Sequence, residues 1–206
     1  EDMKVLLLFI SLLPSLCFSQ KLTDFNETRL KTDRHLMIGL GFWATANFIG
    51  SGIGWATAPN EEMKSFHQMN VLWNTVNLGL AIPGYIKARK EKTNLSVFET
   101  LNAQQKTEKI FLINSGLDIG YIATGFILRS EAKTNLEKQD QFNGFGNGLI
   151  LQGGFLLVFD LTAYFIHNRN RKKGLNPIIR NIQLSDTGLG IKWNIASTQH
   201  SQEKKL

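Results

Sequence analysis

The chain has 206 residues, a net charge of +6 and a mean hydropathy of −0.11, an average that suits one ordinary soluble domain. The average hides segregation: charge is nearly absent from four stretches and dense between them, which argues against a soluble bundle. The single cysteine, Cys17, excludes a disulfide or a cysteine metal site in a mature chain that lacks it.

Glu1 and Asp2 precede an export signal. Met3-Lys4 supplies a positive charge, Val5–Leu16 is an apolar run too short to span comfortably, and small residues at Cys17 and Ser19 predict cleavage after Ser19. Residues 20–34 place Leu22, Phe25 and Leu30 at helical spacing, which predicts a short interfacial helix or a linker.

Four apolar stretches follow. Residues 36–58 and 65–86 contain no charge, residues 110–128 contain only Asp118, and residues 148–166 contain only Asp160. About 20 apolar residues cross a bilayer core as a helix, so the expectation is an all-α polytopic bundle of four spans over residues 35–168. The first span carries Gly39, Gly41, Gly50, Gly52 and Gly54, small residues that let helix backbones approach in lipid. Its Asn47 shares a face with Trp43 and Gly54 and is expected to meet another helix. Asn60 is placed to cap the second helix ahead of Glu61 and Glu62. The second span should stop at Pro83-Gly84-Tyr85-Ile86. Ser96-Val97-Phe98-Glu99 is a capping-box pattern that starts a helix near Val97.

Polar residues within the spans form stripes. His67, Asn70, Asn74 and Asn77 recur at steps of three, four and three on the second span, and Asn114, Asp118, Tyr121 and Gly125 at steps of four, three and four on the third. Asp160, Tyr164 and His167 share a face of the fourth, with Gln152 roughly 80° away at about 100° per residue. The stripes are expected to face one another, joined by Asn47 and Asp160. Two chemistries fit. Buried amides hold membrane helices together by hydrogen bonds of roughly 1 kcal/mol each. Alternatively, ionisable groups at membrane depth serve an ion, proton or polar-solute route.

Other classes are disfavoured. His35 and His167 lie at the basic end and His67 at the opposite end, so no haem or metal set forms, and no cofactor is expected. Nucleophile-elbow, phosphate-loop, HExxH and paired-cysteine motifs are absent. An enzyme would have to use His67 and Asp118. The basic run Arg169, Arg171, Lys172 and Lys173 just after a span suits lipid headgroups rather than nucleic acid.

Beyond it, Ile182 and Leu184, then Leu189, Ile191, Trp193 and Ile195, alternate around S-D-T-G, predicting a small β-hairpin over a basic segment of 169–195 and a disordered tail at 196–206. Most Lys and Arg fall on the side of residues 20–34, 87–109 and 167–206. The positive-inside rule puts that side in the cytoplasm, whereas a cleaved export signal puts it outside. An exported N-terminus is favoured, in the inner rather than the outer membrane, whose spans are normally β-strands.

The layout of a signal ending F-S-Q, H-Q-M-N-x-x-W-N-x-x-N on the second span, N-S-G-L-D-x-G-Y on the third and a hairpin tail resembles small uncharacterised four-span membrane proteins common in Bacteroidota. The resemblance runs over most of residues 3–195. It implies a four-span fold with a shared polar core and transfers no functional residue. The expectation is a non-enzymatic accessory or assembly subunit, its partners the bilayer and a membrane complex or a second copy of the chain. The alternative is a small channel or transporter.

Overall fold

The structure, a computed structural model, describes residues 2–180, 182–185 and 188–191, with side chains from Phe18 to Arg180. It is all-helical from Asp2 to Arg180, broken only by short connections. The elements are α1 (Asp2–Ala56), α2 (Glu61–Lys90), α3 (Val97–Glu131), a 3₁₀ turn at Leu136–Lys138, α4 (Gln139–Asn170), a π turn at Arg171–Leu175 and α5 (Asn176–Arg180). Ile182–Ser185 pairs antiparallel with Gly188–Ile191, Ser185 opposite Gly188. The expected extension of this ladder through Trp193 and Ile195, and the tail at 196–206, lie outside the described residues.

The helix starts follow from local chemistry. Asn60 Oδ1 accepts from the Met63 N–H at 2.9 Å, with Glu61 and Glu62 in the first turn of α2 and Lys87, Arg89 and Lys90 in its last. Both ends complement the helix dipole. Ser96 and Glu99 form a reciprocal capping box. The Ser96 backbone N–H, and then its hydroxyl, hold the Glu99 carboxyl below the usual carboxylate range.

Two expected boundaries move. No break occurs at Arg34, because residues 20–34 contain neither Gly nor Pro and nothing there stops α1. α2 does not end at Pro83 but runs on to Lys90. Pro83 removes one N–H, which leaves the Gly79 carbonyl without its helical donor while the following turns propagate.

Side by side, the long helices take the order α1, α2, α4, α3. α4 packs along both α2 and α3, and α1 packs along α2, whereas the backbones of α2 and α3 scarcely approach each other. Glycines of α4 make the close contacts. A Cβ on Gly144 would run into the Glu62 carbonyl and the Phe66 N–H of α2. A Cβ on Gly146 would lie 2.7 Å from the Gly125 carbonyl of α3. The glycines of the first apolar stretch were the expected contact points, yet Gly39, Gly50 and Gly52 have open space around them.

Residues 20–34, expected as a short interfacial helix or a linker, are packed against the rest of the chain. Leu22 and Phe25 bury against Leu175 and Ile178, and Asn26 Nδ2 donates to Thr100 Oγ1 at 2.8 Å.

The distribution of polarity is the reverse of a water-soluble bundle. Asn70, Asn74, Gln104, Gln152 and His167 are fully buried, while Phe42, Leu72, Val76, Ile113, Ile119, Val158 and Phe165 are exposed. Three helices are long and apolar enough to cross a membrane, Phe18–Ala56, Val97–Glu131 and Leu136–Arg180. α2, expected as the second of four spans, is not among them, since His67, Gln68, Asn70, Asn74 and Asn77 dilute its hydropathy.

Candidate functional site

The stripe on α2 turns inward, as its spacing requires, but its partner is α4 rather than α3. Asn70 Nδ2 donates to the Phe66 carbonyl of its own helix at 2.8 Å, which leaves Oδ1 free to accept. Gln152 Nε2 of α4 donates to that oxygen at 2.5 Å, and Gln152 Oε1 accepts from Trp43 Nε1 of α1 at 3.2 Å. One amide thus ties three helices. Below it, Asn74 Nδ2 donates to the Asn70 carbonyl at 2.8 Å, and Asn77 Nδ2 donates to Asn74 Oδ1 at 3.1 Å. Trp43 also stacks on Phe155 at 3.8 Å between ring centroids.

Two expected members stay outside this network. Asn47 spends its amide on the Trp43 carbonyl of its own helix, at 3.0 Å. The His67 ring fills the space that a side chain at Gly54 would take, and its buried Nδ1 has no partner.

The acids gather elsewhere. Asp118 of α3 and Asp160 of α4 are buried, at 2% and 5% exposure. Asp118 Oδ2 is buried and has no partner.

The pair borders a cavity of about 340 Å³ in the gap that α4 props open between α2 and α3. Asn77, Asn114 and Tyr121 are its other polar walls, and the rest is apolar and aromatic. Towards the α2–α1 loop, Trp73 and Tyr121 meet edge to face across the gap, with centroids 4.6 Å apart. Towards the basic end, a second cavity of about 160 Å³ shares Met37, Ile110 and Phe111 with the first, and Arg29, Asp33 and Glu91 border it. Of the expected site residues, Asn77, Asn114, Asp118, Tyr121 and Asp160 therefore share one cavity. Asn70, Asn74 and Gln152 form the tie beside it, and His67 and Asn47 belong to neither.

Sequence reasoning missed a charged cluster at the basic end. Arg29 is 2% exposed, and its Nη2 donates to Glu91 Oε1 at 2.6 Å while Nη1 lies 3.7 Å from Asp33 Oδ2. His167 Nε2 is 3.0 Å from Asp33 Oδ1, close enough for an ion pair but off the line of a hydrogen bond. Its ring stacks on Phe111 at 5.7 Å. Arg171 Nε donates to both oxygens of Glu108, and Gln104 Nε2 donates to Glu108 and to the His167 carbonyl. His35, expected to share this end with His167, is exposed and does not join it. A signal existed: Thr100, Gln104, Glu108, Phe111, Ser115 and Asp118 step by four, four, three, four and three, so the polar face of α3 begins well before Asn114.

Comparison with known proteins adds one match. The family described as "Family of unknown function (DUF6992)" matches residues 39–161, which takes in Asp118 and Asp160, the amide tie and the close packing of α2, α3 and α4. No curated protein and no solved structure matches the chain.

Proposed function

The chain belongs to the DUF6992 family of unknown function, and for it we propose a non-enzymatic integral membrane protein, an accessory or assembly subunit whose polar core holds four spanning helices together. The observation that carries this reading is the Trp43–Gln152–Asn70 tie: amides joined across three helices whose outer faces are apolar. In lipid, apolar surface drives no helix association, and interhelical hydrogen bonds and small residues do so instead. α2 fits as the fourth span despite its composition, because Leu72, Val76, Leu80, Ile82 and Ile86 are exposed while its amides are not. An export signal ending at Ser19 and an inner-membrane location complete the proposal, with the basic end outside and a membrane complex or second copy as partner.

A second reading, a route or site for an ion or polar solute, is favoured by one observation: a cavity bordered by the buried Asp118 and Asp160. Two variants separate the readings. Asn74→Leu should dissociate or unfold the bundle in detergent if the core is structural. If Asp118→Asn leaves folding and copurifying partners intact yet abolishes a proton or cation flux in liposomes, the structural reading fails.

A further inference from the structure

We infer that the gap between α2 and α3 is a binding site for one anionic phospholipid, with an acyl chain in the larger cavity and the headgroup phosphate held at the basic end by Lys87 and Lys106. The site presupposes the first reading above, four helices in lipid, and adds a specific lipid to it.

The gap opens sideways onto the bilayer. The backbones of α2 and α3 scarcely approach each other. Val76 and Leu80 on one lip, and Ile110 and Leu117 on the other, line the larger cavity and are still between 46% and 58% exposed. Asn77, Asp118 and Asp160 border the same space but present little to a guest, being at most 5% exposed. A guest therefore meets chiefly hydrocarbon and aromatic ring, a surface that favours hydrocarbon.

Length and volume fit one chain from one leaflet. Trp73 and Tyr121 close the gap edge to face near the middle of their apolar stretches. From Trp73 to Lys87 along α2, and from Tyr121 to Lys106 along α3, the rise is about 21 and 22 Å at 1.5 Å per residue. Half a bilayer, from its midplane to the outside of the headgroups, is about 20–22 Å. The smaller cavity continues the larger one towards the basic end, sharing Met37, Ile110 and Phe111 with it. A dry apolar cavity of about 150 Å³ takes one benzene, so a space of about 340 Å³ takes roughly a dozen chain carbons, enough for one chain and not for two.

Charge at the mouth complements an anionic headgroup. Lys87 lines the smaller cavity, and Lys106 lies one turn from Ile110 on the α3 lip; both are exposed. Residues 87–109 carry six Lys and Arg against three Glu. Each of those acids is engaged elsewhere, Glu91 by Arg29, Glu99 by Ser96 and Glu108 by Arg171. Asp33, the other acid beside the smaller cavity, faces Arg29 and His167. Among the described residues none of the six cations has an ion-pair partner. A lipid phosphate supplies the missing charge. The choline of a zwitterionic lipid would cancel it, which selects an anionic headgroup.

Native mass spectrometry counts lipids on the full-length chain released from detergent micelles. The probes are phosphatidylglycerol, phosphatidylcholine with the same acyl chains, and glycerol 3-phosphate, which has the charge without the chains. One phosphatidylglycerol should bind per chain, at least about fivefold tighter than phosphatidylcholine, the factor that one lysine near an anionic headgroup supplies. Lys87→Gln with Lys106→Gln should bring it down to the phosphatidylcholine level. Lys133→Gln with Lys138→Gln, the same charge change beyond the far end of α3, should leave it unchanged. Leu80→Phe with Leu117→Phe, which narrows the mouth, should weaken both lipids. Equal affinity for the two lipids overturns the inference, as does a phosphatidylglycerol affinity that either the Lys87/Lys106 or the Leu80/Leu117 variant leaves unchanged. A loss as large from the Lys133/Lys138 variant overturns it too, as does glycerol 3-phosphate binding as tightly as phosphatidylglycerol, or a chain dimer that excludes the lipid. In each of these cases a chain that still requires detergent keeps the first reading, whereas a chain that stays monodisperse without detergent removes both. Should the variants fail to fold, the three probes on the unaltered chain decide alone.

Discussion

Gln152 holds Asn70 and Trp43 at once, donating to the first at 2.5 Å and accepting from the second at 3.2 Å. It is fully buried, so no water replaces either partner. Gln152→Leu, close in size and apolar, leaves the Asn70 oxygen and the Trp43 N–H unpaired in the core. The expected loss is about 1–3 kcal/mol, at the low end if the partially unfolded chain finds other partners in the membrane. Equilibrium unfolding in mixed detergent micelles measures it. A loss no greater than that of Thr75→Ala, on the exposed side of α2, would mean that the tie contributes nothing.

Close approach makes a sharper contrast. A Cβ at Gly144 meets the backbone of α2, which cannot yield as a flexible side chain can, whereas Gly116 and Gly120 of α3 have nothing near them. Gly144→Val should separate α2 from α4 and abolish a monodisperse peak in size-exclusion chromatography. Gly116→Ala should leave the peak unchanged and, by favouring the helix, raise stability by up to about 1 kcal/mol.

Two ion pairs, one at each end of α2, should differ in worth. Arg29 is buried and rests on Glu91, while Lys64 and Glu61 are both exposed. Glu91→Gln leaves a buried guanidinium with only the longer Asp33 contact, at a cost of about 3 kcal/mol. Glu61→Gln should cost under about 1 kcal/mol. Thermal unfolding of the two variants side by side tests the order.

The start of α3 should respond to acid. Glu99 is held below its ordinary range by the Ser96 backbone N–H and hydroxyl, so its carboxylate contributes stability that is complete above that range. The contribution is lost as pH falls through the lowered value. Amide exchange of the first turn of α3, corrected for intrinsic rates, should therefore show constant protection at neutral pH and a decline in acid that Glu99→Gln removes.

Much of the helical layout could be read from spacing. The caps at Asn60 and Ser96 and the inward turn of Asn70, Asn74 and Asn77 are local, encoded within a few residues of one helix. Which helix lies beside which is not local. Nothing in the period of α2 says that Asn70 meets Gln152 of α4 rather than Asn114 of α3, because a face has a direction but no address. The order follows from where glycines permit contact, and those at 144, 146 and 148 did so while Gly39, Gly50 and Gly52 of α1 did not. The basic-end cluster escaped for another reason. Arg29, Glu108 and Arg171 look like solvated charge until the structure folds residues 20–34 against the end of the chain. The cavity is a gap between helices, and no residue pattern marks a gap.

The central claim is that apolar faces meet lipid while the amides and acids face inward. In a Cys17→Ser background, single cysteines at Asn74, Val76, Ser115 and Ile119 can carry nitroxide labels in liposomes. Collision with oxygen, which concentrates in acyl chains, and with a water-soluble nickel chelate reports each surroundings. The account predicts high oxygen and low nickel collision at Val76 and Ile119, and low collision with both at Asn74 and Ser115. Strong nickel collision at Val76 and Ile119 would place those faces in water and contradict it.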